Sequence, residues 1–190
     1  MNFKIKKKKK VLVTGGTGFI AGWIIKHLVE EGVTVHATVR DPDDKQKIAH
    51  LVKLSENNPG EIILFKADLL ERGSFNAAAK GCNIVFHTAS PFLFKFNDPV
   101  KDLINPAFEG TKNVLEAVNV TDSVERVVLT SSCAAIYGDA DECEHAPNNT
   151  LTEAIWNNTS SPSHQPYSYS KTIAEREAWK LADAQMRWSL

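Results

Sequence analysis

Residues 11–21 read Val-Leu-Val-Thr-Gly-Gly-Thr-Gly-Phe-Ile-Ala, an apolar run that breaks into glycines and resumes as a helix-forming stretch. The run VLVT at 11–14 predicts a short strand buried on both faces. The break predicts a tight turn into a helix. A turn that lacks side chains lets backbone N–H groups approach a pyrophosphate, and the positive end of the next helix points at the same charge. Gly15 makes the turn, Gly18 admits the anion and Ala21 lets the helix lie close to the sheet; Thr17, Phe19 and Ile20 complete the candidate binding loop. The spacing is GxxGxxA rather than GxGxxG, and by itself it suits a plain tight turn equally well. Its place at the first strand-to-helix junction is what favours a dinucleotide.

Working outward, strands are predicted at 33–39 (VTVHATV), 61–67 (EIILFKA), 84–89 (IVFHTA) and 126–132 (RVVLTSS), each short and nearly all apolar. Helices are predicted at 18–31, 43–56, 72–80, 99–118 and 167–186, the first with Ile20, Trp23, Ile24, His27 and Leu28 as its apolar face and the last with Ile173, Ala174, Ala178 and Leu181. Strands that alternate with helices specify an α/β class, a Rossmann-type doubly wound parallel sheet with helices on both faces. The polar stretch at 137–166 has no period and predicts a long functional loop.

A net charge of -1 gives no electrostatic case for nucleic acid as partner. The run KIKKKKK at 4–10 predicts a solvated basic tail over 1–10, ahead of one domain at 11–190. No stretch approaches the ~20 apolar residues of a membrane span, and no cleavable signal is visible, so a cytoplasmic protein is expected. Cys82, Cys133 and Cys143 are too irregularly spaced for a disulfide framework or a zinc site, and no metal is expected. The sequons at Asn119, Asn148, Asn157 and Asn158 are read as unused.

About 20 residues past the glycines, an acidic residue selects NAD and an arginine accommodates the 2′-phosphate of NADP. Here the second strand ends in Thr38-Val39-Arg40-Asp41, with Lys47 following as a second cation, so NADP(H) is the expected cofactor. Asp41 keeps an NAD reading open. At the end of the third strand Asp68, followed by Leu69, offers a carboxylate for the adenine amino group or a cap for the next turn.

Tyr167 and Lys171 lie four residues apart at the start of the last helix, hence on one face. A cation beside a phenol lowers its pKa from ~10 and makes it a proton donor usable near neutrality. Thr130-Ser131-Ser132 ends the fifth strand at the ligand-binding edge, where a serine hydroxyl can bond a carbonyl oxygen that gathers charge.

The motifs TGGTGFIA, VRDP, HTASP, VERVVLTSS and YSYSK, in this order, resemble those of the extended short-chain dehydrogenase/reductases, in particular the dihydroflavonol reductase, cinnamoyl-CoA reductase and methylglyoxal/aldehyde reductase branch. The resemblance runs from Val11 to the end of the chain. It implies that Ser132, Tyr167 and Lys171 are the catalytic residues, that Arg40 and Lys47 hold the phosphate, and that the segment of His87, Thr88, Ala89, Ser90 and Pro91 lines the cofactor. Relatives with an SxxVYG pattern would place the serine at Cys133; alignment on the strand end selects Ser132, with Ser131 second. The resemblance also implies a further lobe for substrate beyond Leu190, which leaves the fifth strand's edge and the last helix expected to lack partners. The function this implies is NADPH-dependent reduction of a small-molecule aldehyde or ketone. The alternatives are an NAD-dependent nucleotide-sugar epimerase or dehydratase, and a non-catalytic dinucleotide binder. The substrate and oligomeric state are not readable.

Overall fold

The computed structural model describes residues 9–91 and 95–190. Its strands are β1 (Lys10–Thr14), β2 (Thr34–Val39), β3 (Glu61–Lys66), β4 (Ile84–His87) and β5 (Arg126–Leu129). Its helices are α1 (Phe19–Glu30), α2 (Lys45–Glu56), α3 (Asn76–Ala79), α4 (Asn105–Asn119), α5 (Glu142–His145) and α6 (Pro166–Asp183). The strands form one parallel sheet in the order β3-β2-β1-β4-β5. Of the basic tail, residues 1–8 lie outside the described residues; Lys9 pairs with Glu125, and Lys10 already belongs to β1.

The strands read as continuously apolar because each face has its own core. Val11 and Val13 point to one side, with Val35, Ala37, Ala21, Ile25, Val29 and Leu51 from β2, α1 and α2. Leu12 points to the other, with Val85, Ala78, Val114, Leu115, Val127 and Ala178 from β4, α3, α4, β5 and α6. Each large aliphatic side chain so buried contributes about 1.5–3 kcal/mol. The chain winds outward from β1 to β3, then returns to the far side of β1 as β4. The order therefore reverses between β1 and β4, and the crevice at their carboxyl ends is where open α/β sheets take ligands.

Several elements differ from expectation. The buried stripe of α1 is Ala21, Ile25, Leu28 and Val29, whereas Ile20 and Trp23 are half exposed. The residues from Phe19 to Val29 are apolar almost all round, and the small Ala21 rather than the bulky Trp23 is what permits close approach to the sheet. The helix expected at 72–80 shrinks to α3, because Gly73 has φ +78° and the Ser74 hydroxyl donates to the Asp68 carbonyl (2.8 Å) instead of serving a helix. The helix expected at 99–118 opens with a π turn, Val100–Ile104, in which the Asn105 N–H reaches the Val100 carbonyl. Pro106 has no N–H to return to Asp102, which loosens the ladder at that point. Strands β4 and β5 stop at His87 and Leu129, earlier than predicted.

The edge of β5 is also not bare. Ser189 bridges Arg126 in parallel; the Val127 N–H donates to the Ser189 carbonyl (2.8 Å) and the Ser189 N–H to that of Glu125 (3.1 Å). Trp188 is buried beside it, and the Arg187 guanidinium donates to the carbonyls of Val118, Asn119 and Thr121 (2.8, 3.1 and 2.7 Å) at the end of α4. No helix among the described residues is long and apolar enough to cross a membrane, and no cluster of His, Cys, Asp and Glu among them could hold a metal ion.

Candidate active site

The glycine turn is held by the buried Thr38 and by its own backbone. The Gly15 N–H donates to the Thr38 hydroxyl (3.2 Å), the Gly16 N–H to the Thr38 carbonyl (2.7 Å) and the Gly18 N–H to the Gly15 carbonyl (2.8 Å). Gly15 has φ +71°, and a Cβ there would lie 3.1 Å from Cα and Cβ of Ala89. A Cβ on Gly18 would lie 3.1 Å from the Gly15 carbonyl oxygen. Helix α1 begins after Gly18 with no side-chain cap and no acidic residue in its first turn, so its first N–H groups keep their positive field for a ligand. Thr17, Gly18, Phe19 and Ile20 are all exposed at this place. A backbone cradle without side chains or carboxylates suits a pyrophosphate.

Thr14 ties β1 to β4. Its hydroxyl accepts the N–H groups of Thr88 and Ala89 (3.1 Å each) and therefore gives its own proton to His87 Nδ1 (2.9 Å). The Thr88 hydroxyl returns a bond to the Thr14 carbonyl (2.6 Å). His87 must be neutral to accept; burial, with help from the Lys171 charge, holds its pKa down at about 3. His87 was expected to line the cofactor with its neighbours. It lies instead beneath the crevice, with Ala89 half buried and Ser90 exposed at the rim.

Arg40 stands exposed immediately after β2. Lys47 pairs with Asp44 (2.9 Å), which also caps α2 by accepting the Lys47 N–H (3.1 Å). That pair is solvent-exposed, so a phosphate can displace it at small cost. Asp41 accepts the Asp43 N–H (3.0 Å) and Asp68 that of Leu70 (2.9 Å), so both carboxylates brace turns. Leu69 packs its side chain toward Gly110 of α4, where a Cβ would come within 2.8 Å of it.

On α6, Tyr167 and Lys171 occupy successive turns. The Lys171 ammonium is buried and donates to the Thr130 carbonyl (3.1 Å) at the end of β5. Burial lowers its pKa, and the nearby Glu175 carboxylate opposes that shift. Ser131 donates its hydroxyl to Glu175. Ser132 instead caps the turn Cys133–Ala135 by accepting the Ala134 N–H (3.1 Å), which leaves its own proton for a further acceptor. That turn packs on α6, and Cys133 within it is exposed. A cleft of about 370 Å³ opens beside Ser131 and Ser132, walled by Cys133, Ile136, Ile155, Trp156 and Glu175.

The long polar stretch is a strap with fixed ends. Asn157, nearly fully buried, donates through Nδ2 to the Ala134 carbonyl and through its N–H to that of Ala135 (2.9 Å each). Glu142 accepts the N–H groups of Gly138 and Asp139 (2.8 Å each), and Asp139 meets His164 at 2.7 Å just before α6. Thr14, Thr38 and Glu175 were given no role from the sequence, and Asn157 was read only as an unused sequon. Only Glu175, one turn past Lys171, carried a periodic signal.

The chain is similar in sequence and fold to known proteins. The chain is 45% identical over 173 residues to a cinnamoyl-CoA reductase of Medicago truncatula, with 90% of the chain and 52% of the relative aligned. It is 45% identical over 180 residues to tetraketide alpha-pyrone reductase 1 of Arabidopsis thaliana, covering 93% and 53%. Its fold matches that of Gre2 from Candida albicans, solved in complex with NADPH, at a TM-score of 0.79 and 35% identity, over 96% of the chain and 56% of that structure. The chain thus spans about half the length of the curated relatives it matches. With the family model matched across residues 11–189, from β1 to the last β5 contact, the chain belongs to the NAD dependent epimerase/dehydratase family.

Proposed function

We propose that this chain carries the cofactor site and the reacting side chains of an NADPH-dependent carbonyl reductase that acts on a small aldehyde or ketone in the cytoplasm. The observation that carries this reading is the placement of Tyr167 one turn before a buried Lys171 on α6, with the Lys171 ammonium bonded to the Thr130 carbonyl at the carboxyl end of β5, two residues before Ser132. When bound, the nicotinamide supplies hydride to the carbonyl carbon. The Tyr167 hydroxyl donates the proton that the carbonyl oxygen then needs. Lys171 places positive charge beside the phenol and favours its release of that proton. Ser132 donates to the carbonyl oxygen as negative charge gathers there.

Residues Gly15, Thr17, Gly18, Phe19 and Ile20 hold the pyrophosphate, Thr88, Ala89 and Ser90 border it, and Asp68 with Leu69 borders the adenine. Arg40 and Lys47 hold the 2′-phosphate. Titration of the chain with NADPH and NADH tests this assignment: NADPH binds more tightly, and Arg40→Asp erases or reverses the preference. Equal affinities in the parent chain refute it.

A further inference from the structure

We propose that Glu175 is a positioning residue for the Tyr167 and Lys171 pair: its carboxylate is the counter-charge one helical turn from the buried Lys171 ammonium, and it engages the Ser131 hydroxyl. Helix α6 presents Tyr167, Lys171 and Glu175 on three successive turns of one face. Lys171 meets Thr130 through a neutral carbonyl. His87, at the end of β4, is neutral, and Thr130 and Ser131, just after β5, bring no charge. Among the described residues that act on Lys171, Glu175 is the negative one. The carboxylate is itself fixed at both oxygens, by the Ser131 hydroxyl on one and by Trp179 Nε1 (3.3 Å) on the other. A charge aimed by two neutral donors and set one turn from a buried ammonium is the arrangement expected of a counter-ion.

Two consequences separate this role from mere packing. Burial favours the neutral amine, and loss of the Glu175 charge favours it further, so the folded state of Glu175→Gln sheds the Lys171 proton at lower pH. Ser131 is spoken for by Glu175, which leaves Ser132 as the hydroxyl able to meet a substrate oxygen. The role deepens the proposed chemistry and rests on it for its meaning. The test reads only the coupling of charges, so either can fail without the other.

The test is thermal unfolding of the chain between pH 5 and 10, comparing the parent with Glu175→Gln, Ser131→Ala, Lys171→Met and the Lys171→Met/Glu175→Gln double variant. Because the folded pKa of Lys171 lies below its unfolded value, stability rises with pH across the window between them, where the unfolded chain holds a proton that the folded chain has lost. Glu175→Gln widens that window downward. Its deficit is expected to be on the order of 2–4 °C in Tm near pH 7 and to shrink as pH rises toward 10. With Met at position 171 the same substitution has an effect that does not change with pH, and Ser131→Ala leaves the pH dependence of the parent intact. A deficit that stays constant from pH 7 to 10, or that is the same with Lys or Met at 171, overturns the proposal. If Glu175→Gln does not fold at pH 7, the double variant must fold there, since it lacks the uncompensated ammonium; its failure also overturns the proposal.

Discussion

Replacing Gly15 by Ala strikes the phosphate cradle at the point where two separate constraints meet. The first is backbone conformation: at φ +71° a side chain costs about 1–2 kcal/mol. The second is space, because the new Cβ would stand 3.1 Å from Cα of Ala89, a backbone atom held by the Thr14 hydroxyl and unable to swing aside. Overpacking of that kind adds roughly 1–3 kcal/mol. Gly32→Ala separates the two, since Gly32 has φ +77° but nothing within 4 Å of its would-be Cβ. Gly32→Ala should therefore lose about 1–2 kcal/mol and Gly15→Ala about 2–5 kcal/mol. Thermal unfolding reads both, at roughly 2–4 °C per kcal/mol for a chain of this size. Fluorescence titration with NADPH then isolates the site: Gly15→Ala should weaken binding by about tenfold or more, the equivalent of ~1.4 kcal/mol, while Gly32→Ala leaves it alone. Equal melting points for the two variants refute the steric argument. An unchanged Kd for Gly15→Ala refutes the cradle itself.

His87 makes stability fall in acid: its folded pKa is held at about 3 against 6.5 unfolded, so the unfolded chain takes up a proton that the folded chain refuses as pH drops from 6.5 toward 3. Urea unfolding should show a loss of roughly 3 kcal/mol between pH 6.5 and 4 that His87→Gln removes; a parent curve matched by the variant at every pH counts against it. Arg187→Ala frees several carbonyls at the end of α4 and should cost about 1–3 kcal/mol, read by the same unfolding curves, with no loss of NADPH affinity. In a form carried to the length of its relatives, Tyr167→Phe should lower kcat by about 10²–10⁴-fold with NADPH binding retained, and a variant that keeps most of its turnover removes Tyr167 as the acid.

The parallel sheet and the glycine cradle were legible in the sequence because their causes are local. A strand buried on both faces is apolar throughout, as VLVT is, and a turn with φ +71° at Gly15 and contacts of 3.1 Å to a would-be Cβ at Gly15 and Gly18 favours glycine at both. The spacing of Tyr167 and Lys171 was equally readable, since four residues on a helix always share a face. Which side of α1 meets the sheet was not, because nearly every residue from Phe19 to Val29 is apolar and the period carries no direction; close contact of Ala21 with the sheet decides it. By their own chemistry the adjacent hydroxyls of Ser131 and Ser132 are alike, and Ser132 is preferred over Ser131 only through alignment on the strand end. Only the tertiary structure tells them apart: α6 brings Glu175, 44 positions away, onto Ser131, while the bend after β5 turns Ser132 into the cap of the next turn. The same holds for His87, whose neutral form depends on Thr14 across the β1–β4 pairing, and for Ser189, whose partner Arg126 lies 63 residues earlier. Chain-local patterns specify elements and their turns, but the roles of buried polar groups depend on partners that sequence spacing does not reveal, because a hydrogen bond is set by distance in space.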